Sequence, residues 1–381
     1  MKFYKGIEGL RGVCALAVAF AHFDARLLPD VRILSRPALA VEAFFIISGF
    51  ILLMRYADEV HCGAMKLREF AERRIYRLFP LHAFCLLLLL GFYFTAYLIT
   101  PHQGVSFTES FPVVDDGRRY GEGIWYNFFT DFFLLNGIGT HHLDATWNYP
   151  SWTISSELWV GILFAFLYRL PKRGLVLISA CVVGAAYAIL FHGERGLAGH
   201  SRASEIYLDV GLLRTLAGFS LGTLLAIYLE RVPRNRLLLD AVSLAALVPL
   251  LMIFVDAPRA TYDFAAIPLL TIIVGASIIE TSTLARMLSL RVFEFLGKIS
   301  YSVYLNHVLV IGVLQFTLFG GARPAAGTVP LWLAVSQSIA FFVTLLGLSS
   351  LTFSLVERPA KQTLYRWMKS RGRSGQATPA S

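Results

Sequence analysis

Residues 174–192 read Gly-Leu-Val-Leu-Ile-Ser-Ala-Cys-Val-Val-Gly-Ala-Ala-Tyr-Ala-Ile-Leu-Phe-His, a stretch without one Asp, Glu, Lys or Arg. Wound as an α-helix it is about 28 Å long, the thickness of a bilayer's hydrocarbon core. Pro171-Lys172-Arg173 stands directly before it, and basic residues there resist translocation and mark a cytoplasmic end. Outward from this run, apolar stretches with few charges recur at 8–28, 37–55, 78–99, 151–169, 208–229, 237–256, 262–281, 297–319 and 330–356. The predicted fold is therefore all-α: a polytopic transmembrane helical bundle of about ten spans.

Composition excludes the soluble alternative. Of 381 residues 56% are hydrophobic and 15% charged, with a mean hydropathy of +0.62, more apolar surface than one soluble core can hide. Positive charge alternates along the chain as spans require. One side receives Lys2, Lys5 and Arg11, the stretch from Arg55 to Arg77, Arg169 to Arg173, Arg231 to Arg236, Arg286 to Lys298 and the tail from Arg358; the other receives few, Arg26, Arg36, Arg119, Arg202 and Arg214 among them. This pattern puts both termini in the cytoplasm and accounts for the net charge of +9 without a nucleic-acid partner.

Lys2 and Lys5 before an apolar run, with Ala38 and Ala40 in a cleavage-like spacing, mimic a signal peptide. That site lies inside the second run, so residues 8–28 read as a retained span. The outer segment 100–150, with aromatics from Trp125 to Phe133, suits a short interfacial or re-entrant helix, and the basic stretch 56–77 suits a headgroup-level helix. Residues 1–368 read as one membrane domain and 369–381 as a small, polar, disordered cytoplasmic tail. Cys14, Cys62, Cys85 and Cys181 form no close pair and imply neither a disulfide framework nor zinc.

Ionisable groups inside spans are costly and mark either function or a polar tie between helices. Arg11 and His22 are eleven residues apart, which places them on one helix face about 16 Å from each other. Arg74 and Arg77, three apart, point the same way and can fork onto a phosphate, although a positive-inside anchor explains them equally. Counted from the outer surface, Glu42 lies about 6 Å deep and Glu157 about 9 Å deep, a layer shared with His22. In the ninth span Ser300, Tyr304 and His307 form one polar stripe, readable as packing or as chemistry. His141-His142-x-Asp144 lacks a third partner at metal-ligand spacing, and no metal is expected.

Taken together, Arg11-x10-His22, Glu42-Ala-Phe-Phe-Ile-Ile-Ser48-Gly49-Phe50, Arg74-x-x-Arg77, Trp152-Thr-Ile-Ser155-Ser-Glu157 and Ser300-Tyr-Ser-Val-Tyr304-Leu-Asn-His307 resemble the ordered motifs of the acyltransferase-3 family. These are polytopic bacterial proteins that acylate surface polysaccharides, and the resemblance covers nearly the whole chain. It implies an O-acetyltransferase of the bacterial inner membrane with no permanently bound cofactor. Acyl-CoA, usually acetyl-CoA, would be the cytoplasmic co-substrate, and a lipid-linked or exported saccharide the acceptor. By the same resemblance, His22 would be the catalytic group, supported by Glu157 and Glu42. Arg11, Arg73, Arg74 and Arg77 would serve the donor, and Trp152, Ser155, Ser300, Tyr304 and His307 the substrate site.

The chain departs from the family pattern in places. Glu8 and Glu42 stand where Asp is commoner, and Leu158 follows Glu157 where many relatives have a second acid. These residues also carry no SGNH-type domain of the kind some relatives append, so transfer is expected to finish in the membrane domain or with a partner. A second class of reading is a sugar–lipid transporter or flippase lined by the same charges, which calls for internal symmetry and paired broken helices. A membrane-bound O-acyltransferase centred on Asn306-His307 is a further enzyme reading. Ser48-Gly49 is not the Gly-x-Ser-x-Gly elbow of a serine hydrolase.

Overall fold

A computed structural model describes residues 4–27, 36–100, 124–139, 147–192, 197, 210–255, 262–320, 329–364 and 366. The His141–Asp144 cluster and the tail beyond 369 lie outside them. The described residues are helical, without a strand. In order the helices are α1 (Lys5–Leu27), α2 (Ala38–His61), α3 (Leu67–Ile99), α4 (Ile124–Phe132), α5 (Ser151–Leu167), α6 (Lys172–His192), α7 (Val210–Tyr228), α8 (Arg236–Val255), α9 (Tyr262–Ile278), α10 (Thr283–Leu288), α11 (Arg291–Phe319) and α12 (Leu331–Thr352). A π-helical turn, Phe353–Glu357, continues α12.

Each predicted span coincides with one of these helices. Eight are long and apolar enough to cross a bilayer; α5 and α9 have 17 residues each. The basic stretch 56–77 is not a separate headgroup element. α2 runs on to His61 and α3 starts at Leu67, so both helices extend beyond their apolar runs, as Lys and Arg allow by being good helix formers with long stems that reach water. α4 supplies the short helix expected in the outer segment.

The centre of the bundle is made of α1 against α11 and α2 against α7, with α3 and α5 closing around them. Small residues set these contacts. A Cβ added at Gly12 or Gly297 would collide with the backbone of the facing helix in the α1–α11 pair. Gly222 and Gly49 play the same part between α7 and α2, where an added Cβ would overlap the Ile46 and Phe219 carbonyl oxygens. Lipid is as apolar as any core, so helices associate through such close packing and through hydrogen bonds between them. Examples are Tyr301 Oη to the Leu78 carbonyl at 2.7 Å, Thr215 Oγ1 to Ser156 Oγ at 2.9 Å and Asn306 Nδ2 to Thr352 Oγ1 at 2.8 Å. By contrast α6, α8 and α12 present long rows of exposed apolar side chains, Leu177, Met252 and Val343 among them, the surface lipid is expected to cover.

Candidate active site

Two polar centres occupy the interior, and α1 contributes to both. Near its N-terminal end, Arg11 Nη1 lies 3.3 Å from both carboxylate oxygens of Glu8. On α3, buried Arg74 donates through Nη2 to the Glu157 carboxylate at 2.8 Å and to its carbonyl at 3.3 Å, tying α3 to α5. Arg77, one turn further, and Arg11 are both within coulombic reach of Glu157. The π-helical turn adds buried Glu357, which accepts from Ser302 Oγ at 2.7 Å and from Lys361 Nζ at 2.5 Å. Lys361 in turn feels the charges of Arg77 and Arg11. Arg11, Arg74, Arg77 and Lys361 thus gather around Glu8, Glu157 and Glu357. Arg74 Nε is buried and makes no hydrogen bond among the described residues, so the guanidinium retains donor capacity.

Eleven residues along α1, half-buried His22 forms the second centre. Its Nδ1 lies 2.9 Å from Nε2 of His307 on α11, which is fully buried. The two rings are nearly parallel, 19° apart, with centroids separated by 5.1 Å. That separation exceeds the nitrogen–nitrogen distance by about two ring radii, so the imidazoles lie edge to edge along one in-line bond. His307 Nδ1 is 2.8 Å from the Tyr304 carbonyl oxygen. Tyr149 meets the His22 ring edge-on at 5.1 Å, and the Tyr304 hydroxyl shares a 3.0 Å hydrogen bond with Thr153. Side chains of α1, α5 and α11 and of the residues leading into α5 therefore converge here.

Of the sequence-predicted residues, the structure joins His22, Tyr304 and His307 at one centre and Arg11, Arg74, Arg77 and Glu157 at the other. The two carboxylates expected beside His22 bond to arginines. Glu42, fully buried, receives Arg214 Nε at 2.6 Å and the Tyr187 hydroxyl at 3.4 Å, an ion pair between α2 and α7. Arg214 had the appearance of a loop cation; it is buried in α7 with its guanidinium 5.3 Å over Trp152. Glu157 faces arginines because α5 packs against α3, which sets Arg74 beside it. The first residues of α5 are bonded to the segment before it: Ser151 accepts from Asn136 at 2.7 Å, and Ser155 donates to the Leu134 carbonyl at 2.6 Å.

The remaining predicted residues have structural partners. Trp152 packs between Arg214 and Phe45. Ser155, with Trp159 Nε1 at 2.8 Å, holds the carbonyl of Leu134, a non-glycine residue at φ 53°. Ser300 bonds its own helix at the Gly297 carbonyl. Arg73 is held by Glu69 at 2.6 Å and Glu59 at 3.8 Å, apart from Arg74. Glu357 and Lys361 were missed because they border a basic tail that reads as simple positive-inside anchoring; an acid closing the last apolar run was the available signal.

No solved structure matches this chain. Among curated sequences it is similar to a Staphylococcus aureus (strain COL) protein provisionally named an O-acetyltransferase, 27% identical over 349 residues, covering 85% of this chain and 53% of that protein. It is also similar to the O-acetyltransferase OatA of S. aureus (strain NCTC 8325 / PS 47), 23% identical over 377 residues, covering 95% of this chain and 58% of OatA. The chain thus spans little more than half the length of these relatives. The acyltransferase domain pattern of the acyltransferase-3 family matches residues 4–355, which takes in His22 and His307 and, of the charged cluster, all but Glu357 and Lys361, and the chain belongs to that family.

Proposed function

We propose that this protein is a membrane O-acyltransferase that moves an acyl group, acetyl in the first instance, from acyl-CoA to a hydroxyl of a lipid-linked or exported saccharide. The observation that carries this reading is the pairing on α1 of an arginine-rich cluster with a bonded histidine: Arg11 stands among Arg74, Arg77 and Lys361, and His22 lies on the same helix about 16 Å away. The cluster suits the phosphates of CoA, since guanidinium groups bind phosphate bidentately. The distance between the centres suits an extended pantetheine arm that delivers the thioester to the histidine.

A saccharide hydroxyl is a weak nucleophile at neutral pH and needs a base. In the base route His22 takes the hydroxyl proton, the oxygen attacks the thioester carbonyl, the C–S bond breaks, and the departing thiolate recovers the proton. In the carrier route the imidazole takes the acyl group from sulfur and passes it to the hydroxyl. Mixing with labelled acetyl-CoA in the absence of acceptor, followed by rapid denaturing gel filtration at neutral pH, where an acylimidazole survives longer than in acid, separates the two, because only the carrier route leaves label on the protein. The function itself is tested by mass spectrometry of surface glycans from cells with and without the gene. Loss of O-acyl groups on deletion, restored by the wild-type gene and not by His22→Ala, is the expected outcome; glycans unchanged by deletion contradict it.

A further inference from the structure

The bonds around His22 determine where its protons sit. A carbonyl oxygen can only accept, so the 2.8 Å contact with the Tyr304 carbonyl requires the proton of His307 to be on Nδ1. Nε2 of a neutral His307 is then an acceptor, and it faces His22 Nδ1 at 2.9 Å. Every other neutral arrangement sets two lone pairs against each other at one of these contacts. A doubly protonated His307 satisfies both, but it places a charge on a residue that is fully buried. Glu42 and Glu157, the carboxylates that the sequence offered as ring orienters, are engaged by Arg214 and Arg74.

We infer that His307 is a positioning residue that locks neutral His22 in the Nδ1–H tautomer and so places the reacting lone pair on Nε2. Neutral imidazole in water favours the opposite tautomer, which would present the lone pair from the nitrogen nearer the backbone. His307 does here what a carboxylate does for the histidine of a catalytic triad, and without a buried formal charge, which in a membrane interior is the cheaper solution. When His22 gains a proton on Nε2, its Nδ1–H continues to donate to His307, so the imidazolium is held without any rearrangement.

The catalytic consequence rests on the acyl-transfer reading, whereas the tautomer is measurable without activity. The test is 15N NMR of histidine-labelled protein in nanodiscs, with His22 assigned from the signals lost in His22→Gln. Expected for the wild type is a protonated Nδ1 and an unprotonated Nε2 on His22, changing to a protonated Nε2 in His307→Leu. A wild-type His22 protonated on Nε2 overturns the inference whether or not the variant folds. In activity, His307→Leu should lower kcat about 100-fold with KM for acetyl-CoA within about two-fold, and His307→Gln, whose amide oxygen can accept, should recover part of the loss. Unchanged kcat in His307→Leu overturns the positioning role. A wild-type protein that shows the Nδ1–H tautomer yet transfers no acyl group overturns the proposed function and supports the tautomer.

Discussion

Side chains that can hold a charge inside a bilayer must find partners, and in this protein the partners decide the roles. Glu157 is engaged by buried Arg74 at 2.8 Å, so it fixes the guanidinium within the cationic cluster and does not orient His22. Glu157→Gln should therefore raise KM for acyl-CoA, roughly five-fold, while kcat changes less than about three-fold; steady-state kinetics over a range of acetyl-CoA concentrations decides this. A collapse of kcat at unchanged KM would return Glu157 to the histidine. Arg11 with His22 on α1, and Arg74 with Arg77 on α3, were legible as pairs because each pair shares a helix face, which periodicity reports. Partnership across helices is invisible to periodicity. Glu42 was conspicuous in the sequence, but its partner Arg214 sat near the end of a span where it resembled a loop charge. His307 was visible as part of a stripe, although nothing in the sequence said which ring it would meet.

At the scale of elements, the spans could be read from apolar length alone, and helix ends could not, because basic residues extend α2 and α3 beyond the hydrocarbon run. The segment before α5 was the hardest to read. It sets α4 and the residues that follow it against the first turns of α5, through bonds such as Ser155 Oγ to the Leu134 carbonyl, which no apolar periodicity announces. Asp131, the penultimate residue of α4 and outside the spanning helices, belongs to this segment and is fully buried, accepting from the Trp147 N–H at 2.9 Å. Burial pushes its carboxyl up to about 8, against hydrogen bonds from Trp147, Asn148 and Asn136 that act the other way. The folded form therefore keeps this proton where the unfolded chain has lost it. The contribution is fully present below pH ~4 and fades as pH rises towards ~8, so Asp131 lowers stability across that window. Asp131→Asn should flatten the fall in Tm of detergent-solubilised protein between pH 5 and pH 8. An equally steep fall in the variant would show that this carboxyl does not carry the dependence.

For the molecule as a whole, α1 is the organising helix. Its glycines let it lie against α11, and that contact is what brings His22 to His307. The same helix carries Arg11 to the cluster built by α3, α5 and the π-helical turn after α12. π-helical turns are rare and recur at functional sites, and this one sets Glu357 and Lys361 beside the arginines. One rigid element thus spans the distance between the proposed donor phosphates and the proposed site of transfer. The central claim is tested most directly with purified protein in proteoliposomes, supplied with labelled acetyl-CoA and extracted saccharide acceptor. Wild-type protein should move label to the saccharide, and His22→Ala should lower that rate at least about 1,000-fold while still binding acetyl-CoA. Transfer at the wild-type rate by His22→Ala would contradict the account.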